Sequence, residues 1–458
     1  QREEDRREAT LSAIEQSFGK ADLSAASRDL DSLRAQREDS AVVEVGRALQ
    51  RELDLRMVTL LVQSPTIHAN LTLIAPLMER LRDSDDARLR LVKAAIAAIE
   101  APDKGSRLDD ELSADFPRTD AVREAIANDR DPLAALKACR DSGSATDRLF
   151  AALLLRLHGA SIRNIEAELR RADTMGPDGL AVHFARSIAL EGLSEHRAAF
   201  LELGAVYASE HTRTVAACVM ARLSATLGYD DSRARLVGAR RMIGDNAPDY
   251  ARAFLVSSEL QIARDRGSNV EHFWQTWRDS EELLGSNQSY WMLAANFALA
   301  CEDTERASEV AHAGLQKIGS GPKTLSLSSL ALQVDWAATP FATESEPLDE
   351  EALDEARPVI EGLAGRAHAV LTEARRSGST RVASEALLVL YRCSRALGDR
   401  RRAWDYLEEA CNVRSSSEAF TSYSRLVAYR IINRHLIGSI ADEDTAEGGP
   451  LAIASRIG

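Results

Sequence analysis

The stretch ALLVLYRCSRALGDRRRAWDYLEEACNV, Ala386 to Val413, holds two apolar-periodic segments joined by one Gly-Asp pair, Gly398-Asp399. Both segments repeat apolar residues at helical spacing. In the second, Ala403 and Ala410 fall on the apolar side, where bulk is usual. Small residues on facing sides let two antiparallel helices approach closely, while large neighbours fill the groove alongside. Gly398 stands where the first helix must end, a position that often needs a left-handed backbone. The stretch predicts a tight helical hairpin.

Working outward, the same unit recurs from about Thr146. Breaks fall at Gly159, Gly192, Gly228 and Gly267, at intervals of 33, 36 and 39 residues. They part TDRLFAALLLRLHG from SIRNIEAELRRAD, and LAVHFARSIALEG from SEHRAAFLELGAVYA. They also part TRTVAACVMARLSATLGYDD from SRARLVGARRMIG, and PDYARAFLVSSELQIARDRG from NVEHFWQTWRDSEELLG. Helical hairpins repeating with this period mark an α-solenoid. The small residue is expected six places after the break in earlier copies, Gly192 to Ala198 and Gly228 to Ala234, but five from Gly398 to Ala403.

Two segments, YWMLAANFALACEDTERASEVAHAGL and ALLVLYRCSRALGDRRRAWDYLEEA, resemble the tetratricopeptide repeat. The first copy carries Trp291, Ala294-Ala295, Ala298, Ala307 and Ala311. The second carries Leu387, Leu390-Tyr391, Ser394, Gly398, Ala403, Leu407 and Ala410. Both lack the family's terminal Pro, and Tyr391 stands where a small residue follows the Leu. The resemblance implies a right-handed superhelix of antiparallel hairpins, with the first helix of each lining a concave face. It implies a non-catalytic scaffold holding a protein or peptide partner there. By the spacing of the second copy, the contact residues are Arg392 and Arg395, joined by Arg425 on the next first helix. Asn296 takes the equivalent place in the first copy. Three guanidiniums on one wall would suit an acidic peptide or a chain terminus.

Composition agrees with an all-α chain. Of 458 residues 45% are hydrophobic and only 5% aromatic, mostly Ala and Leu with few Val-Ile-Thr runs. No segment alternates with period two, so roughly twenty helices and no sheet are expected. A net charge of −14 repels phosphate backbones and argues against nucleic acid. No run of 18 apolar residues is present to span a membrane. The opening QREEDRREAT has neither Met nor an apolar signal core, which reads as a processed or cut start. An upstream anchor or effector domain would make the chain a sensor or regulatory module, the alternative to a free-standing scaffold.

The expected organisation is N-terminal hairpins over 1–100, an irregular linker over 101–118, and the repeat region over 119–437. An acidic insert occupies 340–358, and a disordered tail 438–458. The insert, within TPFATESEPLDEEALDEARP, reads as a solvated loop entering an acidic helix N-terminus, or else as a cation or basic-peptide site.

Motifs with chemistry are sparse, and no cofactor or metal is called for. KIGSGPKTL lacks the Gly-Lys-[Ser/Thr] of a phosphate loop and reads as a turn between helices. Asp109, Asp110 and Asp115 have the wrong spacing for a prenyl-diphosphate enzyme. His183, His196 and His211 fall in successive helical segments without ligand spacing. Phe273, Trp274 and Trp277 read as core between hairpins, or as an aromatic anchor for a partner. Cys139, Cys218, Cys301, Cys393 and Cys411 read as packing residues inside Ala-rich helices. A Cys393–Cys411 bridge across one hairpin is the rival.

Overall fold

The computed structural model describes residues 40–69, 71–100, 114–128, 130–139, 144–158, 160–244, 247–265, 270–319, 321, 324–342, 350–376 and 379–413. Among the described residues are 21 α-helices, one short 3-10 turn and no strand, so the described part of the chain is all-helical. Its contacts divide it into two compact units, Gln1–Leu293 and Ala294–Gly458.

The first unit holds α1 (Ser40–Leu61), α2 (Pro65–Ala69), α3 (Ala75–Arg80), α4 (Ala87–Glu100), α5 (Pro117–Ala127), α6 (Pro132–Ala138), α7 (Ala145–Leu157) and α8 (Ile162–Arg170). It continues through α9 (Gly179–Gly192), α10 (His196–Ala208), α11 (Arg213–Thr226), α12 (Ser232–Ile243), α13 (Asp249–Asp265), α14 (Val270–Asp279) and α15 (Glu281–Leu284). The division falls inside α16 (Gln288–Ala300). The second unit goes on with α17 (Thr304–Ile318), α18 (Leu325–Ala337), α19 (Glu350–Arg376), α20 (Thr380–Ala396) and α21 (Arg400–Val413). Residues 101–113 of the expected linker lie outside the described residues, as do 414–458 with the expected tail. Pro117 already opens α5.

In the first unit, α7 through α13 each pack on the next helix in sequence, and α7 also touches α9 as α11 touches α13. Helix α7 is apolar almost all round and correspondingly sunk: Leu149, Phe150, Leu153 and Leu155 are buried against α4, α5, α8 and α9. Each such side chain contributes about 1.5–3 kcal/mol of burial. Phe273 and Trp274 are also interior. Trp277 stacks on Tyr290, with ring centres 5.3 Å apart, and meets Trp274 and Trp291 edge-on. Phe273 and Trp274 are core, and Trp277 is half-buried against them.

In the second unit α17 packs on α18, α18 on α19, α19 on α20 and α20 on α21, with α18 also reaching α20. Ala307, Ala311, Ala403, Leu407 and Ala410 are all buried. Gly398 has φ 77°, so the left-handed turn falls at the expected residue. The Gly398 N–H donates to the Arg395 carbonyl at 3.0 Å, and the Asp399 N–H to that of Ser394 at 2.9 Å. These two bonds satisfy carbonyls that a helix end leaves open. Asp399 then caps α21 by accepting the Arg402 N–H at 3.0 Å.

The same corner recurs. Ser194 (φ 64°), Gly228 (φ 75°) and Glu302 (φ 60°) are left-handed. The next N–H reaches back five residues each time: Glu195 to Leu190, Tyr229 to Ser224, and Asp303 to Ala298. This corrects the expected register. Gly192 lies inside α9, where a Cβ would come within 2.8 Å of the Ile162 side chain, so close packing is what it permits. The turn falls at Ser194, and the buried small residue is Ala199, five places on, as in Glu302 to Ala307 and Gly398 to Ala403. Ala234 is exposed, and Ser232 and Ala239 take the interior places of α12.

The acidic helix N-terminus expected inside the insert is present: α19 begins at Glu350 and runs through Pro358, while residues 343–349 lie outside the described residues. All five cysteines are free thiols, Cys301 is exposed at the end of α16, and no Cys393–Cys411 bridge is formed. Burial pushes the Cys218 and Cys393 thiols up to about 12, which keeps them protonated.

Candidate functional site

Helix α19 is where local rules are broken. Its inner face is regular: Ala356, Ile360, Leu363, Ala367, Leu371 and Ala374 are buried at three- and four-residue steps. Carboxylates crowd its start and Arg375-Arg376 its last turn, both favourable for the helix dipole. Its outer face is different. Pro358 supplies no N–H to the Asp354 carbonyl one turn earlier. Gly362 and Gly365 are exposed, and a Cβ at either would meet nothing within 4 Å. Glycine there costs about 1 kcal/mol each against alanine, with no turn or tight contact within this unit to require it. Val359 remains 51% exposed beside them.

Next to this exposed stretch is a shallow groove of about 480 Å³, lined by Pro358, Val359, Gly362, Leu363 and Arg366 of α19 with Asp335 of α18. Asp335 collects three donors: Ser308 Oγ at 2.7 Å, His312 Nε2 at 3.0 Å and Arg366 Nη1 at 2.7 Å. Burial alone would raise its pKa. The hydrogen bonds from Ser308 and Arg366, with the charges of His312 and Arg366, outweigh that and hold it below the usual carboxylate value. The groove thus has an apolar floor and backbone laid bare by Gly362. At one end stands a half-exposed guanidinium fixed by an ionised carboxylate.

Ser308, His312 and Asp335 do not form a hydrolytic relay. The Ser308 hydroxyl donates its hydrogen bond to Asp335 and not to His312, so no imidazole stands between the hydroxyl and the carboxylate. No group of three or more His, Cys, Asp or Glu among the described residues is arranged to hold a metal ion. His183 instead lies 2.6 Å from Glu202, which also binds Arg186. Glycines 319 and 321 of KIGSGPKTL have positive φ between α17 and α18, as a turn requires. Asp109 and Asp110 lie outside the described residues.

The residues singled out from the repeat pattern are placed less openly than expected. Arg392 and Arg395 share a face of α20, but both are half-buried and already engaged by other groups of the protein. Asn296 is half-buried in α16, and Arg425 lies outside the described residues. Asp335 and Arg366, 31 residues apart, are joined only by the packing of α18 on α19. The sequence signal that could have found the groove is Pro358-Val359 with Gly362 and Gly365 inside an otherwise regular helical pattern. The chain matches no protein-family model and no curated protein sequence.

Proposed function

We propose that this chain is a non-catalytic binding module of the tetratricopeptide-like, α-solenoid kind, and that it holds a segment of a protein partner against the outer face of α19. The repeated corner at Ser194, Gly228, Glu302 and Gly398, followed in three copies by a buried alanine five places on, supports the helical-repeat reading. Repeat modules of this construction present long surfaces to partners. The observation that carries the site is the pair of exposed glycines beside Val359 and Arg366. A helix departs from its own propensity where another chain must come close. An extended segment with an apolar side chain over Val359 and a carboxylate against Arg366 fits this surface. Arg366 replaces Arg392 and Arg395 as the leading contact, because its side chain is 47% exposed.

The test separates binding from folding. Gly362→Leu fills the groove while removing a poor helix residue, so the variant should melt at or above the parent temperature and lose partner capture from native-cell extract. Arg392→Glu with Arg395→Glu should leave capture in place. Capture that survives Gly362→Leu and fails with the α20 pair would move the site to the repeat face expected from sequence.

A further inference from the structure

We propose that the outer face of α12 is a second docking surface, in the first unit and independent of the α19 groove, which takes an acidic, partly apolar helix of a protein partner. Helix α12 reads SRARLVGARRMI, with four arginines and no acid, in a protein of net charge −14. Arg233, Arg235, Arg240 and Arg241 are all exposed. Arg235 is paired with Asp231 at 2.7 Å and Arg240 with Glu259 at 2.6 Å. Arg233 and Arg241 make no ion pair or hydrogen bond with any described residue.

These two arginines stand on one line with Val237, at four-residue steps, and Val237 is 49% exposed. A rise of 1.5 Å per residue puts their Cα atoms about 12 Å apart, with the valine midway. Beside that line run exposed Ala234 and half-buried Gly238, and a Cβ at Gly238 would meet nothing within 4 Å. The face is therefore cationic at two points, apolar between them and low in profile, which a second helix requires for close approach. Met242, 42% exposed, extends the apolar area. The complement is a helix with carboxylates on either side of an apolar residue, at matching spacing.

A discrete partner fits better than an anionic membrane. Asp230 and Asp231 are exposed at the start of α12, and a planar anionic surface would meet them together with the arginines. A helix lying along Arg233, Val237 and Arg241 avoids them.

The probe is a synthetic helix with Glu at two positions eight residues apart and Leu midway, its binding to the full chain followed by fluorescence anisotropy. Arg233→Glu with Arg241→Glu should weaken binding by about tenfold or more, and added salt should weaken it in the parent. Val237→Ser should weaken it without changing the salt dependence. Three results would overturn the proposal: no binding by the parent, equal binding by the charge-reversed variant, or tighter association with phosphatidylserine vesicles than with the peptide. Concentration-dependent self-association abolished by the same reversal would also overturn it, by making a second copy the occupant.

Discussion

Glu168 in the first unit and Asp335 in the second each gather several basic or polar side chains, but in different surroundings. Glu168 holds Arg118 at 2.7 and 2.8 Å and Arg148 at 3.0 Å, and these three side chains are between 4% and 7% exposed. Asp147 beside them accepts the Arg118 and Thr119 N–H groups, capping α5 from 28 residues away. Around Asp335 the carboxylate is sheltered, but Arg366 and His312 are 47% and 40% exposed. In the first unit the charges close a seam between α5, α7 and α8. In the second the same chemistry stands at the rim of a groove, where solvent or another chain can reach it. A buried pair specifies how helices fit; a rim pair is free to recognise.

The largest expected effect breaks that contrast if it fails. Glu168→Ala removes the carboxylate that two buried guanidiniums share and should cost about 3–5 kcal/mol, read by chemical denaturation. Asp335→Ala, with exposed partners, should cost about 1 kcal/mol or less. Equal losses would mean the two clusters do the same work.

Acid should separate the units next. Burial, with the neighbouring Arg56 charge, lowers the His211 pKa to about 4. The unfolded chain takes up this proton near pH 6.5 and the folded chain resists it until about 4. Stability is therefore whole above about 6.5 and falls as pH drops through that window, on the order of 3 kcal/mol in all. Asp335 is shifted down, so its contribution is present above the unfolded value near 4 and is lost only below that. Thermal melts at pH 7 and pH 5 should show the parent losing more than His211→Asn.

Two smaller effects sharpen the repeat comparison. Ala403→Leu and Ala307→Leu should each cost about 1–3 kcal/mol through overpacking, measured as lowered melting temperatures. Parent-like melting by either would remove that alanine from the close contacts. At the corners, Gly398→Ala should cost about 1 kcal/mol and Glu302→Gly should gain about as much, since only glycine adopts the left-handed turn without strain. A Glu302→Gly variant no more stable than the parent would deny that the two corners are equivalent.

Much of this architecture was legible in residue types and spacing. Apolar periodicity gives the helices, Gly398 gives its own corner, and Ala403 and Ala410 give their buried places. The corners at Ser194 and Glu302 were hidden, because there the backbone bonds closing the helix impose a left-handed turn on residues that do not advertise one. The groove was hidden for another reason. Asp335 meets Arg366, and Asp147 caps α5, only once distant helices pack, and no local pattern encodes either distance. Pro358 reads locally as a stop, yet α19 passes through it, held by the buried row from Ala356 to Ala374.

The central claim is that partners contact the outer face of α19, and a photo-crosslinking residue placed at Val359 tests it most directly. In native-cell extract the full chain should form a covalent adduct with a partner protein through position 359, and Gly362→Leu in the same chain should abolish it. Abundant adducts from a crosslinker at Arg392, with none at position 359, would contradict the account.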